Sequence, residues 1–415
     1  LSSKNRKSAI IKQEAKIVHR SQVLQMLLFY ILPAIVIILI VGALVVFFRA
    51  FRLAGQYEHF DRKIRSYEAP EDWSPLLVLK YIYDVDLQHL DTKGSSIPQK
   101  FNFETAMQAT LLDLIDRKVI SVDNKELFCH LDMPMMDYEA EVIDMAFGGK
   151  EKIIIDDLFA DYHFDDTLLN KYKKQYKGKT LESKLNKIGN DFNRRYNAKL
   201  NSINKLVEKE VTSQNLPAIR QELSEGTKST ISLARRFLLV AMLLVTLSGV
   251  YSFMQEHWIF LIYGTLLAIV IFMLLYINRK THYSTEHGTI TAEGQQRVQA
   301  WVSFTNMMRD IDKFDKVDIQ GVVVWNRILV YATLFGYAKR VQKYLDFNAI
   351  KLANESVILT NQELGYMIGM HTHQLGLASH NANMAAHFSV SSGSSGSGGG
   401  GGFSGGGGGG GGGAF

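Results

Sequence analysis

The chain is poor in cysteine and carries no familiar catalytic motif. Its 415 residues include one cysteine, Cys129, so no intramolecular disulfide can form, which fits a reducing compartment such as the cytoplasm. The sequence has no Walker lysine loop, G-x-S-x-G, H-E-x-x-H or C-x-x-C. The net charge of +5 is small and diffuse, so it does not indicate a nucleic-acid partner. We therefore predict no enzyme activity, no catalytic residue, no cofactor and no small-molecule substrate.

Charged residues are absent from three long apolar runs, residues 21–48, 237–254 and 258–277. A helix of about 20 residues crosses the roughly 30 Å hydrocarbon core, and soluble helices of that length carry a polar stripe. The runs therefore predict three transmembrane helices and the lipid bilayer as a partner. Because the runs contain no Asp, Glu, Lys, Arg or His, they fit an anchor better than a transport path.

The flanks of the second and third runs predict their orientation. Residues 255–257 between them hold no Lys or Arg, whereas residues 235–236 and 279–280 on their outer sides are all basic. By the positive-inside tendency, the short loop faces outward and both flanks face the cytoplasm. The first run gives no such signal, because residues 1–20 are as basic as the segment that follows it.

These observations predict a mainly α membrane protein with an α+β cytoplasmic domain. The predicted organisation is a juxtamembrane segment outside the cell (1–20), transmembrane helices (21–48, 237–254, 258–277), a cytoplasmic α+β domain (49–236), a cytoplasmic helical segment (278–390) and a disordered Gly/Ser-rich tail (391–415).

The beginning of the cytoplasmic domain has the element order of a winged helix. Ser74 and Pro75 are suited to start a helix, FNFETAMQATLLDLID predicts a second, and VISV and ELFC around residues 123–125 predict a hairpin. The candidate recognition helix carries Glu104 and Asp113, which would repel phosphates. A protein contact or a structural wing is therefore the interpretation that we adopt, and we predict no nucleic-acid partner.

Two segments near the carboxyl end hold the remaining candidate site residues. His371 and His373 could contribute to a transition-metal site, although His373, His380 and His387 lie seven residues apart, too far for successive members to bind one ion. We interpret these histidines as ordinary polar residues and predict no metal. In the glycine-rich tail, Phe403 and Phe415 are hypothesised partner contacts on a tether; a passive solubilising end is the alternative.

Several quoted segments, taken in order, resemble the YciQ-like predicted bacterial membrane proteins, a family of unknown function. They are APEDWSP, ATLLDLIDRKVISV, TAEGQQRVQAWVSF, WNRILVYATLFGYAKRV and the tail GGGFSGGGGGGGGG. The resemblance implies a bacterial plasma membrane, a signal peptide and a β-rich extracytoplasmic domain upstream. Because Leu1 stands where an initiator Met is expected, we expect further sequence before it.

The function expected from these features is that of a membrane-anchored interaction or scaffold protein. It would couple an outside domain to unidentified cytoplasmic protein partners. The alternative is an accessory subunit or regulator of a transport or envelope-assembly complex.

Overall fold

The computed structural model describes residues 3–53, 59–90, 92, 99–313, 325–347 and 362–390. The chain forms two compact units, which are described separately. The span unit comprises Leu1–Glu58 and Arg220–Thr291, and the large unit comprises His59–Ile219 and Ala292–Phe415. The tail at 391–415, with Phe403 and Phe415, lies outside the described residues.

In chain order the elements are α1 (Ser3–Met26), a π-helical turn (Leu27–Ile31), α2 (Leu32–Leu53), α3 (Pro75–Tyr83), α4 (Phe103–Asp116), β1 (Ile120–Asp123), β2 (Glu126–Cys129), α5 (Asp137–Phe147), β3 (Lys152–Ile154), 3₁₀ turns (Ile155–Asp157 and Ala160–Tyr162), α6 (Asp166–Gln175), α7 (Gly178–Ser213), β4 (Arg220–Gln221), α8 (Glu225–Met254), α9 (Phe260–His287), β5 (Thr289–Ile290), α10 (Ala292–Arg309), a 3₁₀ turn (Ile311–Lys313), α11 (Trp325–Leu334), α12 (Ala338–Phe347) and α13 (Gln362–Ala386).

Within the described part of the chain, three helices are long and apolar enough to cross a membrane, as the sequence predicts. They cover Ile10–Ala50, Glu225–Met254 and Phe260–Arg279. The first is longer than its apolar run because the Lys, Arg, Glu and Gln residues before that run are good helix formers. Its 41 residues would measure about 60 Å, roughly twice the thickness of the hydrocarbon core.

Within the span unit, α2 packs on α8 and α8 packs on α9. At one end the ring of Phe29 contacts the ring of His257 edge-on, with centroids 4.9 Å apart. At the other end Ala50 clusters with Leu223 and Ile231. The α2 helix therefore runs antiparallel to α8, and its amino end lies beside the loop that joins α8 to α9.

A proline explains the π-helical turn inside the first apolar run. Pro33 has no N–H, so the backbone carbonyls one turn earlier lose their usual donor. The buried hydroxyl of Tyr263 in α9 donates to the carbonyl oxygen of Leu28 at 2.7 Å. This side chain satisfies a backbone group that lipid could not.

The described part of the large unit includes the helices α3 and α4 and the hairpin of β1 and β2. Ser74 caps α3, accepting from the N–H of Leu77 at 3.4 Å, and Pro75 is the first helical residue. The hairpin of β1 and β2 turns at Asn124, which has a positive φ of 55°. A third strand, β3, pairs antiparallel with β2 and completes a small sheet.

Helix α4 lies at the centre of the large unit. Every residue at positions 106–115 is buried, and α3, α11 and α13 all pack against the helix. The carboxyl-terminal helix α13 also lies along α7. A Cβ at Gly189 would lie 2.4 Å from the carbonyl oxygen of Ala382, so only glycine permits the close approach of α7 and α13.

Candidate functional site

Polar side chains of α10 hold an extended segment, residues 59–66, along the helix. The Gln299 amide exchanges two hydrogen bonds with the backbone of Asp61, at 2.7 and 3.0 Å. Further along, the buried Asn306 amide donates to the carbonyl oxygens of Asp61 and Ile64 at 3.2 and 2.9 Å. The N–H of Ser66 in turn donates to the α10 backbone at 3.1 Å. We call this arrangement the α10 clamp.

The carboxyl end of the clamp is fixed by a cluster of charges on Asp310. Three cations, Arg65, Arg309 and Lys313, bind its carboxylate at about 3 Å. Their hydrogen bonds, led by that of Arg309, hold the pKa of Asp310 well below its usual range despite partial burial. Arg309 also donates to the carbonyl oxygen of Arg62 at 2.9 Å, which adds another contact to the extended segment.

A second face of α10 binds the proline-bounded loop before α3. Glu71 in that loop accepts from the guanidinium of Arg297 and from the indole N–H of Trp301, both at 3.0 Å. The Trp301 ring is fully buried and meets the ring of Tyr331 edge-on, with centroids 5.1 Å apart. Tyr331 donates to the carbonyl oxygen of Trp73 at 2.6 Å, so α10 and α11 hold the same loop.

A chain of buried charges runs from this loop through α4. Arg327 in α11 binds the Asp113 carboxylate and donates to the carbonyl oxygen of Trp73 at 2.9 Å. The second oxygen of Asp113 accepts from Arg117 at 3.1 Å, and Arg117 continues to Glu139 at 2.6 Å. Both carboxylates are almost wholly buried. Each of these buried carboxylates therefore has an arginine as its ion-pair partner.

Burial also changes the pKa of a tyrosine hydroxyl group beside these buried charges. It raises the pKa of Tyr331 to about 12, against the opposing effect of the nearby Arg327 guanidinium. The phenol therefore stays protonated at neutral pH and serves as the donor to the loop carbonyl.

A cavity of about 140 Å³ lies beside the α10 clamp. It is lined by Arg62, Tyr83, Gln99, Val302, Thr305, Asn306, Arg309 and Tyr337. Several of these polar groups already have protein partners: Gln99 donates to the carbonyl oxygen of Phe335 at 2.9 Å, and Arg309 binds Asp310. The cavity has room for a few waters or a small polar molecule.

A comparison with known protein families matches most of the elements described above. The family described as "Predicted membrane protein (DUF2207) C-terminal domain" matches residues 64–345. The chain belongs to this family. The matched DUF2207 domain runs from the extended segment through α12 and includes α8 and α9, whereas α13 lies beyond it. No curated protein and no solved structure matches the chain.

The structure separates the two histidines singled out in the sequence. His371 is buried, with its Nε2 atom 3.9 Å from a carboxylate oxygen of Asp156 in the 3₁₀ turn at Ile155–Asp157, whereas His373 is exposed. Burial lowers the pKa of His371, and the Asp156 carboxylate opposes that shift. No group of three potential metal ligands occurs within the described residues. The prediction that no metal binds stays a prediction, as does the hypothesised role of Phe403 and Phe415 as partner contacts.

Sequence reasoning missed the α10 clamp and the buried ion pairs of the DUF2207 domain. The clamp residues Gln295, Gln299 and Asn306 recur every four or seven positions, a regular polar stripe on a helix whose other face is aromatic. Asp113 stands between leucines in TLLDLID, and a lone acid in an apolar run indicates a buried partner. The winged-helix order of elements leads instead to the interpretation of Asp113 as a repulsive charge on a recognition helix.

Proposed function

We propose that this DUF2207 protein is a membrane-anchored interaction or scaffold protein, whose spans hold the large unit at the membrane for protein partners. The proposal rests on one observation: the points at which the chain enters and leaves the large unit all lie near the beginning of α10. The Gln295 amide donates to the carbonyl oxygen of His59 at 3.2 Å, and Gly294 packs on the backbone of Ile219. All three chain links to the spans are thus fixed around the beginning of α10.

Contacts of this kind support a role in which events at the points where the chain enters and leaves the large unit reach α10. A force or displacement applied at any of these points would act on the beginning of α10 and, through the contacts of Arg297 and Trp301 with Glu71, on the loop before α3. The proposed YciQ-like membership and an outside domain that could supply such a signal rest on the resemblance alone.

The packing of the span unit supports a cytoplasmic large unit in a bacterial plasma membrane. Helix α2 has its amino end beside the uncharged loop at 255–257 and its carboxyl end beside the basic beginning of α8. All three spans therefore have basic flanks at one common end, where residues 49, 235–236 and 279 lie. The positive-inside tendency puts that end in the cytoplasm.

The burial of α4 argues for protein partners and against DNA. A recognition helix must present a face to the major groove, but α4 is buried at positions 106–115 by α3, α11 and α13. A winged-helix-like unit here is best interpreted as a structural unit. The buried carboxylates, each held by arginine, likewise support a role without catalysis.

The second candidate, an accessory subunit of a transport or envelope-assembly complex, is favoured by one observation. Large apolar side chains remain exposed along the spans, among them Ile38, Val45, Phe272 and Leu275. Lipid covers such a surface, but so would the helices of a polytopic partner whose own residues supply a polar path.

The experiment that tests both is crosslinking in intact cells followed by mass spectrometry of what copurifies. The full chain is compared with a chain cut after Val390 and with the double variant Phe403→Ser/Phe415→Ser. A defined partner that survives all three assigns recognition to the large unit, and one lost with the tail supports the two phenylalanines as contacts. Stoichiometric recovery of a polytopic partner would favour the accessory subunit. Turnover of a substrate by the purified chain would contradict both candidates, as would the absence of any specific partner.

A further inference from the structure

The cavity beside the α10 clamp has arginines in its lining but no acidic residue. Arg62 and Arg309 are among the lining residues, and no Asp or Glu is. Arg62 is exposed, and its guanidinium has no hydrogen-bond or ion-pair partner among the residues that the structure describes. Next to it, three cations share the single carboxylate of Asp310. Positive charge is therefore in excess around the cavity, and an anion inside it would offset that excess.

The lining also offers a hydrogen-bond acceptor and a donor to a bound molecule. The buried Gln99 amide donates to the carbonyl oxygen of Phe335, and none of the described residues donates to its amide oxygen. The half-buried Tyr337 likewise has no hydrogen bond from its hydroxyl to a described residue. Burial raises the pKa of Tyr337, against the opposing effect of Arg309 and Arg340, so the phenol keeps its proton and can donate. A ligand that fits has anionic oxygens and a hydroxyl group of its own.

The volume of the cavity limits the size of this ligand. An apolar cavity of about 150 Å³ admits benzene. The cavity beside the clamp measures about 140 Å³, so it accepts a molecule of similar or smaller size. Inorganic phosphate and lactate meet this limit, and at neutral pH each carries both anionic oxygens and a hydroxyl group.

We propose that the cavity is a binding site for a small oxyanion that carries a hydroxyl group, either hydrogen phosphate or a short hydroxycarboxylate. Arg62 binds the anionic oxygens, the Tyr337 hydroxyl donates to one of them, and the Gln99 oxygen accepts from the ligand's hydroxyl group. Arg309 is already fixed by Asp310, so little additional ordering is needed on binding. This binding site goes beyond the scaffold function and does not depend on it.

A bound oxyanion would also tighten the α10 clamp. Arg309 donates to the carbonyl oxygen of Arg62, and Asn306 holds two further carbonyl oxygens of the extended segment. The residues that line the cavity are thus the same ones that hold residues 59–66 on α10. Occupancy of the cavity therefore stabilises the segment by which the chain enters the large unit.

Isothermal titration calorimetry of the full chain in detergent, in a buffer without phosphate, tests the proposal. We expect inorganic phosphate or lactate to bind saturably, and tighter binding by either one supports the site and identifies the ligand class. Arg62→Gln, an exposed change, should raise the dissociation constant about tenfold or more. The matched control is Lys63→Gln, which removes the same charge from the adjacent exposed residue outside the lining. Binding of neither ligand, or equal affinities of the two variants, would overturn the proposal.

Two further arms test the ligand's hydroxyl group and the location of the site. Sulfate and propionate lack the hydroxyl group of phosphate and lactate, so each should bind about tenfold more weakly than its counterpart. Hydrogen–deuterium exchange should slow at residues 59–66 when the tighter ligand is added to the wild type, and not in Arg62→Gln. Equal binding of the ligands without a hydroxyl group, or binding that leaves exchange of this segment unchanged, would contradict the proposed site.

Discussion

The carboxylate of Asp113 in α4 pairs with the guanidinium of Arg327 in α11, 214 residues further along the chain. Between the two residues lie the hairpin, α7 and both spans of the α8–α9 pair. Because the pair is inside the large unit, it fixes α11 and the loop before α3 onto the central helix. The fold of this domain thus depends on closing a very long loop in the chain.

Removing the charge of Asp113 should destabilise the protein strongly. Asp113→Asn keeps the shape but leaves Arg327 and Arg117 without their shared buried anion, a change that typically costs about 3–5 kcal/mol. Chemical denaturation of the full chain in detergent would measure the loss. The control is Asp191→Asn, which breaks the exposed pair with Arg194 and should cost less than about 1 kcal/mol. Equal losses would mean that the buried pair contributes no more than a surface pair.

The α10 clamp should protect the extended segment from hydrogen exchange. Gln299→Ala removes the acceptor of the Asp61 N–H and a donor to the Asp61 carbonyl oxygen, so amides around residues 59–66 should exchange faster. Hydrogen–deuterium exchange of the full chain, read by mass spectrometry, measures this effect. The matched control is Gln296→Ala, a change of the same residue type at an exposed position three residues earlier on α10. Unchanged exchange in Gln299→Ala would mean that the remaining contacts, among them the hydrogen bonds of Asn306, hold the segment without Gln299.

The contrast between local and distant contacts explains what the sequence could predict. Apolar runs predicted the three candidate spans, and local signals predicted Ser74 as a cap and the hairpin at residues 123–125, because each depends on neighbours in sequence. The pairing of Asp113 with Arg327 and that of Glu71 with Trp301 could not be predicted, since each joins residues more than 200 positions apart.

A methyl group at Gly189 should push α13 away from α7. Its Cβ would lie 2.4 Å from both the carbonyl oxygen of Ala382 and the backbone nitrogen of Ala386, so the helices must separate. We expect Gly189→Ala to cost about 1–3 kcal/mol and to raise proteolysis within α13. Gly226→Ala is the control, because nothing lies within 4 Å of its Cβ. An unaltered cleavage pattern in Gly189→Ala would show that α13 is not held by this contact.

Acidification should weaken the large unit through His371. Burial lowers its pKa below the ordinary value of about 6.5, while the Asp156 carboxylate and a hydrogen bond that the ring donates to Gln374 act in the opposite direction. Below that value the unfolded chain binds a proton that the folded chain binds less well, so the free energy of unfolding falls as the pH falls. Denaturation curves measured between about pH 7.5 and 5 should therefore show that the free energy of unfolding depends less on pH in His371→Gln than in the wild type. The exposed His373→Gln should retain the wild-type slope, and a slope unchanged in His371→Gln would exclude this residue as the cause.

The hydrogen bond from Tyr263 to the Leu28 carbonyl should stabilise the span unit. Tyr263→Phe removes only the hydroxyl and leaves a carbonyl of the π-helical turn without its donor in a region that water does not reach. Hydrogen bonds between spanning helices contribute about 0.6–2 kcal/mol, so a loss in this range is expected on unfolding by SDS in mixed micelles. Tyr276→Phe is the matched control, since that ring packs on Phe47 in the same helix bundle but lies partly exposed. If the two variants unfold alike, the π-helical turn is maintained by Pro33 and helix packing without help from α9.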